Sequence, residues 1–334
     1  MVANDYLNRI VNREDLSFED AYNLFNILIE ESEIRISGYL CALQTKNFTY
    51  EEIGGFSKGM RDKAVKVDFG SEVCDTCGTG GDFSSTINVS TASSIILSCF
   101  KKVAKHGNVS ITSKSGSANL LEEFGIKLDI SPEMAKEIIN KTNYVFLYAP
   151  KYHPSLKRIM PVRRELRIKT IFNILGPLSN PSNPDYQLIG VSSPDLVEKI
   201  GRAFELIKNK KTLVVYGSGL DEVNPNNKTV VCEVVNGKLK DTYNIYPEDF
   251  GIKPTKIIPC NSPKESAERI LKVFSGVRNE DFNFIVINAA ACLYSANVVN
   301  DFKEGSEVVI NAIDEGKVLN KLNEIKQEYS TIYK

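Results

Sequence analysis

The chain carries no surplus of charge: 41 basic residues stand against 42 acidic ones over 334 residues, a net charge of −1. Proteins that hold nucleic acid by displacing its counterions show a basic excess, so no nucleic-acid partner is expected. Long apolar runs are missing too. The two uncharged windows, STINVSTASSIILSCF and NFIVINAAACLYSANVV, are interrupted by Ser, Thr and Asn, whereas a membrane span needs roughly 20 predominantly apolar residues. Both windows read as buried core, and no membrane partner is expected. The opening MVANDYLNRIVNRED has acids and no apolar centre of the kind found in secretory or transit leaders, which makes the cytoplasm the expected location. There is no disulfide framework either: the seven cysteines are an odd number and scattered, apart from Cys74 and Cys77, so reduced thiols are expected.

What is present is the composition of an ordinary soluble protein, 42% hydrophobic and 25% charged, long enough for about two domains. Residues 1 to 66 have helical periodicity: SFEDAYNLFNILIEE sets Phe18, Ala21, Leu24, Phe25 and Leu28 along one face behind a Ser17 N-cap. Thr49 and Glu52 have capping-box spacing ahead of Ile53, Phe56 and Met60. From about residue 70, short β-branched runs alternate with helical stretches, the pattern of strand–helix units around a parallel sheet. YVFLYAP, YQLIGVSS, KTLVVYGS and FNFIVINAA read as strands, and SPEMAKEIINKTN and PDLVEKIGRAFELIK as helices. TVVCEVVNGKLKDTYNI reads as a hairpin turning at Asn236 and Gly237, so the sheet need not be wholly parallel.

The expected fold class is therefore α/β: a small N-terminal helical domain and a larger α/β domain with a mostly parallel central sheet. The boundaries fall at 1–68 for the helical domain, with 164–183 packing on it, and at 69–163 and 184–334 for the α/β domain. The segment RRELRIKTIFNILGPLSNPSNP starts helical, is broken by Pro177, Pro181 and Pro184, and reads as a crossing between the two.

Four stretches have the residue types for chemistry. CDTCGTGGDFSSTINVST runs from a strand through Gly78, Gly80 and Gly81 into a Ser/Thr-rich helix start. That arrangement presents backbone N–H groups to an anion, with Thr79, Ser90 and Thr91 as further donors. Asp82 beside such a cradle is repulsive unless a cation or a substrate hydroxyl intervenes, which points to magnesium; read alone, the segment is equally a tight turn with an N-cap Asp. KHGNVSITSKSGSANLLEEFG gathers Lys105, His106, Asn108 and Ser117. APKYHPSLKRIMPVRREL holds His153 and three arginines, 163, 164 and 167; a guanidinium suits a carboxylate, while Arg164 and Arg167 read as a solvated helix face. YGSGLDEV ends a strand in adjacent acids, Asp221 and Glu222, suited to magnesium on substrate phosphates.

Taken together, GTGGD at 78–82, STINVST at 85–91, KHGN with SKSGSANLLE at 105–122, HP and PVRREL at 153–166, TIFNILGPLSNP at 170–181 and GSGLDE at 217–222 resemble the anthranilate phosphoribosyltransferase family, in its order and over more than a third of the chain. The resemblance implies transfer of the 5-phosphoribosyl group of 5-phosphoribosyl-1-pyrophosphate to the amine of anthranilate, with release of pyrophosphate, in tryptophan synthesis, by a magnesium-dependent homodimer. It implies Lys105, Asn108 and Arg163 as catalytic residues. For the pyrophosphorylated sugar it implies Gly78, Thr79, Gly81, Asp82, Thr86, Asn88, Val89, Ser90, Thr91, Lys105, His106, Gly107, Asn108, Ser113 and Ser117. Anthranilate would meet Gly78, His106, Asn108, His153 and Arg163, and magnesium would meet Ser90, Asp221 and Glu222.

Three positions depart from the family's usual residues: Val109 where Arg is common after KHGN, Asn119 where Asp is common, and Tyr216 where the strand more often ends in His. The alternatives are a pyrimidine nucleoside phosphorylase, which shares the fold and a related Lys-His segment, and a nucleic-acid-binding paralogue without activity. GTGGD, PVRREL and the acids at 82, 221 and 222 favour the transferase. Cys74 and Cys77 have no second Cys or His pair at zinc-like spacing and read as small buried residues.

Overall fold

The structure is a computed structural model that describes residues 3–82, 84–109 and 116–332; Ser113, implicated above, lies outside them. The chain begins with four helices, α1 (Ala3–Val11), α2 (Phe18–Leu28), α3 (Glu33–Lys46) and α4 (Tyr50–Lys63). The starts of α2 and α4 are set by side-chain caps. Ser17 Oγ accepts from Asp20 N at 3.2 Å, and Thr49 and Glu52 complete a reciprocal capping box. Glu52 is fully buried with its carboxylate satisfied by Thr49 N at 2.8 Å, Leu16 N at 3.0 Å and the Lys46 ammonium at 3.0 Å. One carboxylate thus ties α4 to the end of α3 and to the connection between α1 and α2.

The α/β part runs β1 (Cys74–Gly78), α5 (Val89–Leu97), β2 (Val103–Gly107), α6 (Ser117–Glu123), α7 (Pro132–Thr142), β3 (Tyr144–Tyr148), α8 (Ala149–Tyr152) and α9 (Ile159–Leu166). It continues with β4 (Tyr186–Gly190), α10 (Asp195–Ile207), β5 (Lys211–Tyr216), β6 (Thr229–Val235), β7 (Lys238–Ile245), α11 (Pro263–Phe274), α12 (Glu280–Ser295), α13 (Phe302–Asp314) and α14 (Lys317–Thr331). Among the described residues the sheet has seven strands in the order β3-β2-β1-β4-β5-β6-β7. The first five are mutually parallel, and β6 and β7 are antiparallel, turning at Asn236 (φ 51°) and Gly237 (φ 65°) as a two-residue hairpin requires.

Side chains alternate across this sheet. Leu188, Leu213 and Val215 face a core built with α5, α7, α12 and α14, whereas Ile189, Val191 and Val214 face a second core shared with the helical bundle. The second core also takes in Ile159 and Val162 of α9 and Ile171, Phe172, Leu175 and Leu178 of the segment that follows. That segment ends helix α9 at Arg167 (φ 52°) and proceeds in single 3₁₀ turns at Ile171–Asn173 and Pro177–Ser179. The register pairs Gly78 with Gly190 and Gly107 with Tyr148, so the carboxyl ends of β1 to β4 finish along one edge, where parallel sheets place their ligands.

One expected strand is corrected. FNFIVINAA is not a strand but the middle of α12, a 16-residue helix capped by Asn279, whose side chain accepts from Phe282 N at 3.1 Å. A short apolar run has no period that separates strand from buried helix. Here Ala289 to Ala291 favour helix, and α12 is buried nearly all round because it packs on α5, α13 and β4.

Candidate active site

Two cavities open at the carboxyl edge of the sheet and share Cys77, Gly78, Gly80 and Ser117 as a common wall. The smaller, about 160 Å³, is lined by Gly81, Asp82, Thr86, Asn88, Ser90, Asp221 and Glu222. The larger, about 260 Å³, is lined by Thr79, His106, Gly107, Asn108, His153, Arg163, Met60, Met160, Phe172, Asn173 and the Gly176–Ser179 turn, Leu178 excepted. The glycine turn stands between an acid-rich lobe and an apolar lobe with one arginine.

The glycines are needed because the acids lie on them. A Cβ on Gly78 would stand less than 3.0 Å from the Asp221 carboxylate, and one on Gly190 would run into the Asp221 carbonyl. Gly80 N donates to Asp221 Oδ2 at 2.6 Å, and Asp82 Oδ2 accepts from Asp221 N at 3.5 Å. On the far wall Thr86 Oγ1 donates to Glu222 Oε2 at 3.2 Å. Burial, and then the negative charge of Asp82, push the Asp221 carboxyl up; burial followed by Asp221 and Asp82 push Glu222 well above the carboxylate range. Among the described residues no three His, Cys, Asp or Glu converge as a complete metal cage. The lobe offers a cation the Asp221 and Glu222 carboxylates and the Ser90 hydroxyl, leaving the remaining coordination to a ligand.

Lys105 is placed behind this wall rather than in it. It is fully buried on β2, donates to the Thr76 carbonyl, and reaches Ser90 Oγ at 3.4 Å. Val89 and Thr91 likewise point away into α5's packing and line neither lobe. Asn88 is anchored by Ser266, whose hydroxyl donates to Asn88 Oδ1 at 2.9 Å. Asn108 Oδ1 accepts from Val109 N at 2.7 Å, which orients the residue at the mouth of the larger lobe.

In the larger lobe Arg163 is mostly buried, and burial pulls its pKa down to about 10. Its contacts are weak for a guanidinium: Asn173 Oδ1 at 3.4 Å, Met160 Sδ at 3.6 Å and the face of Phe172, 5.8 Å from the ring centroid. Among the described residues no carboxylate pairs with it. A desolvated cation so placed favours an anionic ligand. His106 and His153 meet edge to face at 5.1 Å, and burial lowers their pKa values to about 3 and about 4, so both are neutral at pH 7. His106 Nδ1 lies 3.2 Å from the Gly176 carbonyl, which fixes the Nδ1–H tautomer and leaves Nε2 an unpartnered acceptor. The Ser179 backbone favours the protonated His153 ring, but neither ring nitrogen completes a hydrogen bond.

Sequence reasoning passed over several residues that build the site. Asp75, inside the conspicuous Cys-x-x-Cys, is fully buried and accepts from Asn180 Nδ2 at 2.9 Å and His106 N at 3.3 Å. Lys169 Nζ donates to Gly81 O at 2.8 Å, tying the glycine turn to the crossing segment. The crossing itself forms a wall of the larger lobe; its cue was the break at Pro177, Pro181 and Pro184 after a helical start. Cys74 and Cys77 are free thiols, both raised by burial, Cys77 to about 12. Arg164 and Arg167 are exposed. Asn119 Oδ1 accepts from Gly116 N at 3.1 Å, a cap that needs only an acceptor oxygen and so is open to Asn as well as Asp.

The chain matches the model of the glycosyl transferase family helical bundle domain over residues 4–64 and of the glycosyl transferase family a/b domain over residues 70–319. Fold and site thus define a glycosyl transferase. It is 62% identical to the anthranilate phosphoribosyltransferase of Methanococcus aeolicus and 61% to that of Pyrococcus furiosus, each match covering 96% of this chain and 99% and 98% of the relative. The anthranilate phosphoribosyltransferase of Thermus thermophilus superposes with a TM-score of 0.92 at 31% identity, over 98% of this chain and 99% of that one. The Saccharomyces cerevisiae enzyme, solved with PRPP and Mg, gives 0.90 at 26% identity over 98% of each chain. The chain belongs to the anthranilate phosphoribosyltransferase family.

Proposed function

We propose that the chain transfers the 5-phosphoribosyl group of 5-phosphoribosyl-1-pyrophosphate to the amine of anthranilate, releasing pyrophosphate, as a step of tryptophan synthesis. The observation that carries this reading is the pair of lobes meeting at Gly78 and Gly80, one acid-rich and hydroxyl-lined, the other apolar with an unpaired arginine. The pyrophosphorylated sugar takes the first. Thr86, Asn88, Ser90 and the start of α5 supply donors to its phosphates, Lys105 adds positive charge through Ser90, and Asp82 accepts from sugar hydroxyls. Anthranilate takes the second, its carboxylate on Arg163 and its ring against Met60, Met160 and Phe172, with Asn108 at the rim.

Ser90, Asp221 and Glu222 are the residues that would hold magnesium. They fit it: buried acids crowded by Asp82 and lacking a cation among the described residues are what a Mg²⁺ site shared with substrate phosphates requires. Bound there, magnesium would neutralise charge on the departing pyrophosphate. The amine nitrogen forms its bond to the anomeric carbon as the bond to the pyrophosphate oxygen breaks, and the amine's proton leaves to solvent. The protein's own part is orientation and fixed charge, with no covalent intermediate.

Purified protein mixed with both substrates and Mg²⁺ should remove anthranilate fluorescence, with no loss when the pyrophosphorylated sugar or Mg²⁺ is left out. A trace identical to the protein-free control refutes the proposal. A cytoplasmic homodimer completes it on the strength of the family resemblance; light scattering should return twice the 37.2-kDa chain mass.

A further inference from the structure

The Gly176–Ser179 turn walls the larger lobe without offering it a charged group, yet three consecutive carbonyls of this turn are pinned by three different elements. Gly176 O receives His106 Nδ1 from β2 at 3.2 Å, Pro177 O receives Gln187 Nε2 from β4 at 2.9 Å, and Leu178 O receives Arg61 Nε from α4 at 2.6 Å. Two of these pins belong to the sheet. The third belongs to the helical bundle, one residue from Met60, which lines the same lobe.

Arg61 is an expensive choice for a pin. It is 7% exposed, burial pulls its pKa down to about 10, and its Nη2 is buried without a hydrogen-bond partner. The neighbouring acid, Asp62, turns to Lys58, Lys66 and Tyr22 instead. A buried guanidinium without a contacting counterion is less favourable than an apolar side chain of its volume. What Arg61 adds that an apolar residue lacks is the directed N–H on Leu178, and with it the spacing between the bundle and the turn.

We propose that Arg61 is a positioning residue for the acceptor substrate. By holding Leu178 it fixes the separation of the Gly176–Ser179 wall from Met60, and so the width of the lobe that takes the aromatic acid, without touching that ligand. The smaller lobe, lined by other residues, is outside its reach. The inference rests on the acceptor reading of the larger lobe given above.

The test is steady-state kinetics of the wild type and Arg61→Met with each substrate varied in turn, alongside thermal melting. The expected result is a KM for anthranilate raised about tenfold, in keeping with the loss of one hydrogen bond from a charged donor. The KM for 5-phosphoribosyl-1-pyrophosphate should stay within about twofold, while the melting temperature falls by no more than the few degrees that one lost hydrogen bond allows. The KM split is the part that a merely structural role would not produce. A folded variant in which both KM values move together, or neither moves, overturns the assignment. If Arg61→Met does not fold by circular dichroism, Arg61→Lys, which keeps the charge but lacks the Nε–H, is judged by the same split. A wild type with no transfer activity would instead overturn the functional reading on which the inference rests.

Discussion

Replacing Gly78 by Ala probes the junction of the two lobes directly. The new methyl would fall less than 3.0 Å from the Asp221 carboxylate, against ordinary contacts of 3.4 Å and more. Gly78 sits mid-sheet in register with Gly190, and a side chain at Gly190 would itself meet the Asp221 backbone, so β1 has little room to retreat. The carboxylate must turn away, and its 2.6 Å bond from Gly80 N breaks. That bond is open to solvent on the Gly80 side, so it falls toward the low end of the about 1.5–3 kcal/mol contributed by a hydrogen bond to a charged group. Spread over a chain of this length, a loss of about 2 kcal/mol lowers Tm by about 3 °C. The larger effect is local, since Asp221 leaves the position from which it would meet the metal. Differential scanning fluorimetry with and without Mg²⁺ and the sugar substrate should show both the lower Tm and a weakened ligand-induced rise. An unchanged Tm with an undiminished Mg²⁺ response would refute the packing argument.

Arg163→Ala should raise the KM for anthranilate by about 30-fold or more, the consequence of removing one partner of a desolvated ion pair, with little change for the sugar; equal anthranilate kinetics would remove Arg163 from the site. The raised pKa values of Asp221 and Glu222 mean that the folded, metal-free protein holds protons the unfolded chain releases above about pH 4, so these groups subtract stability as pH rises through their folded pKa values. Mg²⁺ with the sugar substrate should therefore raise Tm more at pH 8 than at pH 5, and a pH-independent rise would contradict the assignment. The histidines act in the opposite sense. His106 and His153 titrate at about 3 and about 4 when folded, so the unfolded chain takes up protons first as pH falls below about 6.5, removing about 3 kcal/mol per ring by pH 4. His153→Phe should flatten the acid limb of the stability curve; a limb of unchanged slope would show that the ring is not held neutral.

The sequence was most informative where a local rule fixes one geometry. Ser17 and Thr49 were legible as caps because a β-region residue with an acceptor oxygen ahead of an amphipathic run has one use, and both accept the expected backbone N–H. The glycine turn and the Asp221–Glu222 pair were legible as types, but not as neighbours, because the contact spans residues 78 and 221 and depends on two glycines in register on adjacent strands. Helix α12 was misread since its apolar residues fill every face. Lys105 was legible as a cation but not as a buried one; its burial follows from β2 lying between β1 and β3. The segment at 176–179 was legible as a crossing between domains but not as a wall of the site, because its contribution is backbone carbonyls, which leave no side-chain signature.

In the proposed reaction, donor and acceptor occupy separate lobes joined at the glycine turn. A crystal structure with 5-phosphoribosyl-1-pyrophosphate, Mg²⁺ and an aromatic carboxylic acid that lacks the amine tests it most directly. The metal is expected against Ser90, Asp221 and Glu222, the phosphates over the start of α5, and the carboxylate on Arg163. An aromatic acid bound away from Arg163, or a sugar lying across the larger lobe, would contradict it.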